Sequence, residues 1–236
     1  NLKYWENLIK TVDNLKGEIE ISLVGKYVEL HDAYISVVEA LKSAGYKYSK
    51  KININWIDSE DLEKENVNLK EIFKNTNGIL VPGGFGTRGI SGKIKAINYA
   101  RVNKIPFLGI CLGMQLAVIE FARNVAGIKD ASSTEFDEMC KNPVIDLMAD
   151  QKSIINMGGT LRLGNYECSL KEKTLAHKVY KEDKILERHR HRYEFNNEYK
   201  ELLEQKGLVF SGINEASNLV EIVEIPTHPH FIASQF

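Results

Sequence analysis

The feature that most constrains the fold is an alternation of apolar and helical segments across residues 18–125. Runs with the composition of strands occur at EIEISLVG, KININWID, GILVPGG and IPFLGI. A segment with helical spacing of its apolar residues follows each run. Apolar strands alternating with helices are typical of a parallel sheet that is covered on both faces. The sequence therefore predicts an open α/β fold with a mostly parallel sheet flanked by helices.

Local signals indicate where individual helices begin and end. Asp32 has the residue type of a helix N-cap, and Gly45 is typical of the residue at which a helix stops. A short helix is expected near residues 69–74. Longer helices are expected over ISGKIKAINYARVNK and MQLAVIEFARNV.

After about residue 130 the pattern changes to short strands separated by turns. These strands are VIDLM, GGTLRLGNYECSL, GLVFSG, NLVEIVEI and FIASQF, with one helix expected after Asn196 and Asn197. No linker or low-complexity stretch divides the chain. We interpret this half as an antiparallel extension of the same sheet, in one domain over residues 18–236 that follows an amphipathic lead at 1–17.

Composition excludes several classes of function. The chain has 31 basic and 32 acidic residues, which argues against a general electrostatic affinity for nucleic acid or anionic membrane. Three cysteines without C-x-x-C spacing argue against a disulfide framework or a thiolate zinc site, and favour a reducing, cytoplasmic compartment. The N-terminus is too charged for a signal peptide, and no run is apolar enough for a membrane helix. Because the chain begins with Asn1, we expect it to be a piece of a longer protein.

The segment FLGICLGMQ places Cys111 between a predicted strand and a predicted helix, with Gly109 and Gly113 on either side. In a strand-to-helix elbow, glycines permit a tight turn and the nucleophile projects beyond the end of the strand. The N–H groups at the start of the helix would favour the thiolate form of the cysteine. The alternative is a buried structural cysteine. The pattern favours a catalytic nucleophile, and we predict that role for Cys111.

Acyl transfer also requires backbone donors for the oxyanion of the transition state. The turn PGGFG follows the neighbouring predicted strand, so the N–H groups of Gly84 and Leu112 are the candidate pair. A glycine-rich turn could instead bind phosphate, but PGGFGTRG lacks the G-K-[ST] of a P-loop.

The segment ERHRHRYE permits two interpretations. His189 and His191 could bind a metal ion, or the arginines could bind an anion. The sequence indicates no third metal ligand beside the two histidines, so we predict no metal site. An anion site for an amino acid or a nucleotide is the favoured interpretation.

Together these motifs resemble the class I glutamine amidotransferases. VPGGFGTRG and FLGICLGMQLAVIEFARNV carry that resemblance. Four further blocks are similar to the CTP synthase family in particular: SLVGKYVEL with DAY, STEF, GGTLRLG and ERHRHRYEFNN. The resemblance extends over nearly the whole chain and implies a flavodoxin-like fold with glutaminase activity.

The resemblance also implies a set of site residues. They are Cys111 as the nucleophile, Gly84 and Leu112 at the oxyanion and glutamine site, Gln115 beside the substrate, Glu135 for the α-ammonium and Arg192 for the α-carboxylate. A carboxylate and a guanidinium would select free glutamine by its amino-acid end. Arg162 in GGTLRLG matches a loop that responds to the activator GTP, although a lone arginine in a turn is more often simply solvated.

In that family the glutaminase domain supplies ammonia to a separate synthetase domain of the same chain. The synthetase domain uses ATP and Mg²⁺ to aminate UTP to CTP, and the full-length protein is a homotetramer. The resemblance implies no cofactor in the glutaminase domain itself. It further implies that residues 1–17 are a lead helix from an N-terminal synthetase domain.

One part of the family pattern is missing from these 236 residues. The resemblance implies a general base and an orienting acid in an H-P-E motif directly after the strand FIASQF, and the sequence contains no H-P-E. THPHF is an imperfect match, because His230 stands where the acid belongs, so His228 and His230 are predicted turn residues. Truncation, residues outside this sequence or loss of activity would each explain the difference. We expect the chain to bind glutamine but to hydrolyse it slowly.

Two alternatives remain beside a CTP synthase glutaminase. One is another class I amidotransferase or a cysteine hydrolase with a similar elbow, which would leave GGTLRLG and ERHRHRYE unexplained. The other is a glutamine-binding regulatory module without catalysis, which a glutamine analogue carrying an electrophile would not label at Cys111.

Overall fold

The computed structural model describes residues 2–147 and 161–236. In chain order the elements are α1 (Leu2–Asp13), β1 (Glu18–Gly25), α2 (Ile35–Lys47), β2 (Lys51–Asp58), α3 (Leu69–Ile72), β3 (Gly78–Val81), α4 (Ile90–Asn103), β4 (Phe107–Ile110), α5 (Leu112–Asn124), β5 (Ala131–Ser133), β6 (Asn142–Asp146), β7 (Arg162–Leu170), α6 (Leu175–Tyr180), β8 (Lys184–His191), β9 (Glu194–Phe195), α7 (Lys200–Gln205), β10 (Val209–Asn214), β11 (Leu219–Glu224) and β12 (Phe231–Ser234).

A nine-stranded sheet in the order β2-β1-β3-β4-β12-β11-β10-β7-β8 forms the centre of the molecule. The first five strands in that order are mutually parallel, and the remaining four pair antiparallel. The predicted α/β fold with an antiparallel extension is therefore confirmed. Because parallel strands end at the same edge, the turns after β3, β4 and β12 lie together.

The extension differs from the prediction in one respect. The strand predicted at VIDLM belongs to β6, which pairs with β5 and β9 in a separate three-stranded sheet. It does not join the large sheet, so the expectation of a single sheet was wrong. β8 was not recognised as a strand from the sequence, although it pairs with β7 over eight residues.

The predicted boundaries of α2 were also wrong. Asp32 lies in a 3-10 turn ahead of the helix, and the N-cap position is held by Tyr34 without a side-chain hydrogen bond. Gly45 does not end the helix, which continues to Lys47. A Cβ at Gly45 would lie 2.6 Å from the carbonyl oxygen of Lys50. The glycine therefore permits a close approach of the returning chain and does not terminate the helix.

Helix α5 is the centre of the hydrophobic core, with every residue from Leu112 to Ala122 buried. Glu120 is among them, and its carboxylate accepts hydrogen bonds from Arg101 on α4 and from the amides of Asn98 and Asn124. A buried carboxylate needs such partners to offset its desolvation. In the described ranges, helices long and apolar enough to cross a bilayer are absent.

Candidate active site

Cys111 lies at the junction of β4 and α5, at the edge where the parallel strands end. Its backbone has φ 52° and ψ −105°, a conformation that costs a non-glycine residue free energy and is typical of strained functional positions. The N–H of Cys111 donates to the carbonyl of Ser234 at 2.7 Å, and its own carbonyl accepts from the N–H of Met114 at 3.0 Å. The elbow is therefore held from both sides, by β12 and by the first turn of α5.

The two glycines beside Cys111 have a different role from the one predicted. The left-handed conformation belongs to Cys111, whereas Gly109 and Gly113 are absent from the positive-φ positions. A Cβ at Gly113 would lie 2.1 Å from the carbonyl oxygen of Val81, and one at Gly109 would lie 2.9 Å from the Cβ of Ala233. The glycines are thus required because α5 packs against the strands at backbone contact.

The Cys111 thiol is not a thiolate in this environment, contrary to the expectation from the helix N-terminus. Its pKa is raised from 9.0 to about 11, mainly by burial and in smaller part by the negative charges of Glu135 and Glu194. The Leu112 N–H and the Gln235 side chain hydrogen-bond to the sulfur and lower the pKa, but they do not offset burial. Attack by this sulfur therefore requires a general base.

Gly84 and Leu112, the residues predicted to supply the oxyanion donors, lie next to each other. A Cβ at Gly84 would be 3.4 Å from Cδ2 of Leu112, and a Cβ at Gly83 would be 3.4 Å from Cβ of Cys111. The PGGFG turn is therefore packed directly on the elbow. Sequence reasoning selected Gly84 and overlooked Gly83, which is the glycine nearer to the sulfur.

Glu135 and Arg192 come together at the same edge. Burial raises the pKa of the Glu135 carboxyl, while the N–H of Gly86, the Arg192 guanidinium and the Lys26 ammonium lower it. The Gly86 N–H donates to Glu135 Oε1 at 2.8 Å. Because Glu135 also acts on the pKa of Cys111, the predicted binding residues and the nucleophile share one electrostatic environment.

Gln115 is turned into the protein. Only 3% of its surface is exposed, and its Nε2 donates to the carbonyl of Tyr193 at 3.1 Å and to Gln235 Oε1 at 3.3 Å. It links α5 to the segment that carries Arg192. Its predicted contact with substrate stays a prediction.

Arg162 is buried, so the alternative of a solvated arginine is wrong. Its Nη1 donates to Glu221 Oε1 at 2.6 Å and lies 3.6 Å from Glu194 Oε1. Its guanidinium carbon is 4.2 Å from the centre of the Tyr166 ring. The predicted role in allosteric activation stays a prediction. Gly158, Gly159 and Thr160 of GGTLRLG lie outside the described residues.

His189 and His191 are also buried, on β8 beside Arg162. Burial lowers the pKa of His189 to about 4 and that of His191 to about 3, so both imidazoles are neutral. The sequence offered no third donor beside the two histidines, whereas the structure places a carboxylate oxygen of Glu221 on β11 within 4.8 Å of their ring nitrogens. The prediction that there is no metal site stays a prediction. Glu221 is 30 positions from His191 in the chain (221 − 191), which is why the sequence pattern did not reveal its proximity.

The two histidines of THPHF lie at the opposite edge of the sheet from Cys111. They precede β12, and Phe231 at its start pairs with Phe107 at the start of β4. Nε2 of His228 lies 3.1 Å from the carbonyl of Ala100, and Nδ1 accepts from the N–H of His230. Four strand residues, roughly 13 Å, separate that edge from the elbow. Both histidines lie in the turn that was predicted for them.

Comparison with known proteins agrees with this geometry. A family profile described as Glutamine amidotransferase class-I matches residues 29–236. The chain belongs to this family. The structure of this chain is similar to that of the glutaminase domain of Trypanosoma brucei CTPS with bound acivicin. The TM-score is 0.86 and the sequence identity is 38%. The match covers 92% of this chain and 85% of that one.

Curated relatives carry the name CTP synthase. The protein from Caldanaerobacter subterraneus subsp. tengcongensis is 58% identical over 236 residues, which is 100% of this chain and 44% of that protein. The protein from Halalkalibacterium halodurans is 60% identical over 232 residues, covering 98% of this chain and 43% of that protein. The chain therefore spans less than half the length of the curated relatives that it matches.

Proposed function

We propose that this chain is the glutaminase domain of a CTP synthase, which hydrolyses L-glutamine to supply ammonia for the amination of UTP. The proposal rests on the proximity of three groups. The Cys111 elbow, the Gly84 turn and the Glu135 carboxylate meet at one edge of the sheet, with Arg192 acting electrostatically on the carboxylate. An acidic and a basic group beside a nucleophile suit the zwitterionic end of an amino acid whose side chain is to be attacked.

The proposed reaction uses the sulfur of Cys111 as a nucleophile on the side-chain amide of glutamine. A base removes the thiol proton, the sulfur bonds to the amide carbon, and the N–H groups of Gly84 and Leu112 stabilise the oxyanion. The carbon–nitrogen bond then breaks, and the nitrogen leaves as ammonia with the transferred proton. Water cleaves the resulting thioester to glutamate and restores the thiol.

The base is proposed to come from a His-Pro-Glu segment following β12, as the family resemblance implies. Ser234 at the end of β12 pairs with Ile110 at the end of β4, so residues after β12 emerge at the edge that holds Cys111. A neutral histidine there would accept the proton of a thiol whose pKa is about 11. The glutamate of the segment would orient its imidazole.

The partners of the glutaminase domain are part of the same proposal. The curated relatives are named CTP synthase and are more than twice as long as this chain. We propose that the rest of the protein holds an ATP- and Mg²⁺-dependent synthetase domain, that GTP activates the enzyme near Arg162, and that it is a cytoplasmic homotetramer. No catalytic cofactor is proposed for the glutaminase reaction itself.

The proposal is tested with acivicin, which is bound in the structure of the Trypanosoma relative. Two chains are compared, residues 1–236 and the same chain extended by His-Pro-Glu. We expect the extended chain to be labelled at Cys111, to be protected by L-glutamine, and to hydrolyse glutamine about 100-fold faster or more than the shorter one.

Two internal controls sharpen this experiment. Cys140 is a partly exposed thiol away from the elbow and should remain unlabelled, and Cys111→Ser should abolish both labelling and hydrolysis. Equal labelling of Cys140, or labelling that glutamine does not reduce, would contradict the proposed site. Glutamine binding without any labelling of the extended chain would favour a regulatory module.

A further inference from the structure

A buried polar cluster lies among β7, β8, β9 and β11, outside the set of residues assigned to glutamine. It consists of five side chains: Arg162, His189, His191, Glu194 and Glu221. Each is at most 6% exposed. Burial raises the pKa of Glu194 to about 8, so at neutral pH the cluster holds one guanidinium, one ionised carboxylate and no net charge.

Several of the buried atoms have no hydrogen-bond partner among the described residues. They are Nη2 of Arg162, Nε2 of His189, Nδ1 of His191, Oε2 of Glu221 and both carboxylate oxygens of Glu194. Native proteins satisfy nearly all buried polar atoms, and each exception requires an explanation such as an ion or a water molecule. Of these six atoms, Oε2 of Glu221 is the one beside the imidazoles, 3.5 Å from Nδ1 of His189.

The spacing of three donor atoms in the cluster, one each from His189, His191 and Glu221, suits a metal ion. His189 Nδ1 lies 2.8 Å from His191 Nε2 and 3.5 Å from Glu221 Oε2. One possible ligand atom from each of the three residues lies within 4.8 Å of the other two. Donors bound to a tetrahedral Zn²⁺ at about 2.0–2.1 Å are separated by about 3.3 Å. The two contacts with His189 therefore bracket the separation that the ion requires.

The surrounding groups also fit a metal site. Glu221 Oε1 accepts from Arg162 at 2.6 Å, which orients the carboxylate and leaves Oε2 for the ion. Nδ1 of His191, the nitrogen not used as a ligand, lies 3.4 Å from Glu194 Oε1. Histidines that bind a metal commonly direct their second nitrogen at a carboxylate, which fixes the orientation of the ring.

We propose that His189 Nδ1, His191 Nε2 and Glu221 Oε2 form a binding site for a divalent transition metal, with Zn²⁺ as the best match. Imidazole and carboxylate donors suit Zn²⁺, and the buried position suits a structural ion. Such an ion would join β8 to β11 across the extension of the large sheet. This proposal is independent of the proposed glutaminase function.

The test is a metal titration of the chain carrying Cys111→Ser, which removes the elbow thiol as a competing ligand. The protein is stripped with a chelator and titrated with Co²⁺, whose visible absorption is intense in tetrahedral sites, and then with Zn²⁺ in competition. We expect one ion per chain, with displacement of Co²⁺ by Zn²⁺. His191→Gln and Glu221→Gln should each weaken binding at least tenfold.

His177→Gln is the matched control. His177 is a partly exposed histidine that is hydrogen-bonded to Asp183 and lies outside the cluster, so its replacement should leave binding unchanged. Circular dichroism establishes that each variant is folded. If a cluster variant does not fold, Zn²⁺ should still raise the Tm of the parent chain. An absence of stoichiometric binding, or binding that survives both cluster substitutions in folded protein, would overturn the proposal.

Discussion

The protonation state of Cys111 can be measured directly by its rate of alkylation at different pH values. Burial raises the pKa of this thiol from 9.0 to about 11. At pH 7 the thiolate fraction is then about one in 10,000, against about one in 100 for a thiol with the ordinary value. Only the thiolate reacts with iodoacetamide, so the reaction at pH 7 should be about 100-fold slower than that of an unperturbed thiol.

The assay follows alkylation of the Cys111 peptide by mass spectrometry between pH 7 and pH 10, with a cysteine-containing reference peptide in the same tube. We expect the rate at Cys111 to rise about tenfold per pH unit throughout this range, while the reference peptide levels off near its own pKa. Restricted access of the reagent would lower the Cys111 rate equally at every pH. The shape of the profile therefore separates a raised pKa from steric protection.

A profile for Cys111 that reaches a plateau by pH 9 would refute this reasoning. Such a result would mean that the N–H donors at the start of α5 outweigh the burial of the sulfur. The expectation also has a consequence for the 236-residue chain. A thiol with so high a pKa should react slowly with acivicin at neutral pH until a base is supplied.

Two further substitutions test the packing and the binding residues. Gly113→Ala places a methyl group 2.1 Å from the Val81 carbonyl oxygen, and overpacking of this kind costs about 1–3 kcal/mol or more. We expect the Tm by circular dichroism to fall by about 5 °C or more, with no fall in the exposed control Ser91→Ala; an unchanged Tm would contradict the described contact. Glu135→Gln should raise the Kd for glutamine at least tenfold in calorimetry, whereas Glu138→Gln, an exposed neighbour, should not; equal effects would argue against a specific role for Glu135.

The parallel half of the fold could be predicted because its signals are local. Apolar strands, helical spacing and the glycine-rich turns after β3 and β4 are all visible within short windows of sequence. The same windows led to errors where tertiary contacts decide the outcome. Gly45 resembles a helix stop, but it lies inside α2 because the returning chain at Lys50 needs the space.

Part of the site was also visible in the sequence. The nucleophile and the glycine turn lie at the ends of adjacent strands, so their proximity follows from the topology. The pKa of Cys111 could not be predicted, because it depends on how many groups surround the sulfur and which charges face it. The sequence suggested a helix N-terminus that stabilises a thiolate, whereas the structure adds the burial that reverses the effect.

The buried polar cluster illustrates a second limit. His189 and His191 can be recognised as a pair in the sequence because they alternate along β8. Glu221 lies on β11, in a short run that is predicted only as a strand. A ligand set drawn from non-adjacent strands has no characteristic spacing. The ion pair between Arg101 and Glu120 was not predicted either, because its two residues lie on different helices and have no characteristic spacing in the sequence.

The hydrogen bond from the Cys111 N–H to the Ser234 carbonyl has a consequence for the order of folding. The two residues are 123 positions apart (234 − 111), and β12 is the partner that completes the sheet beside β4. Loops of this length close late, because their entropy cost must be met before the contact forms. On a ribosome, the first four strands can therefore assemble well before the nucleophile is locked into its strained conformation. The nascent chain would then acquire its reactive geometry only when β12 is inserted.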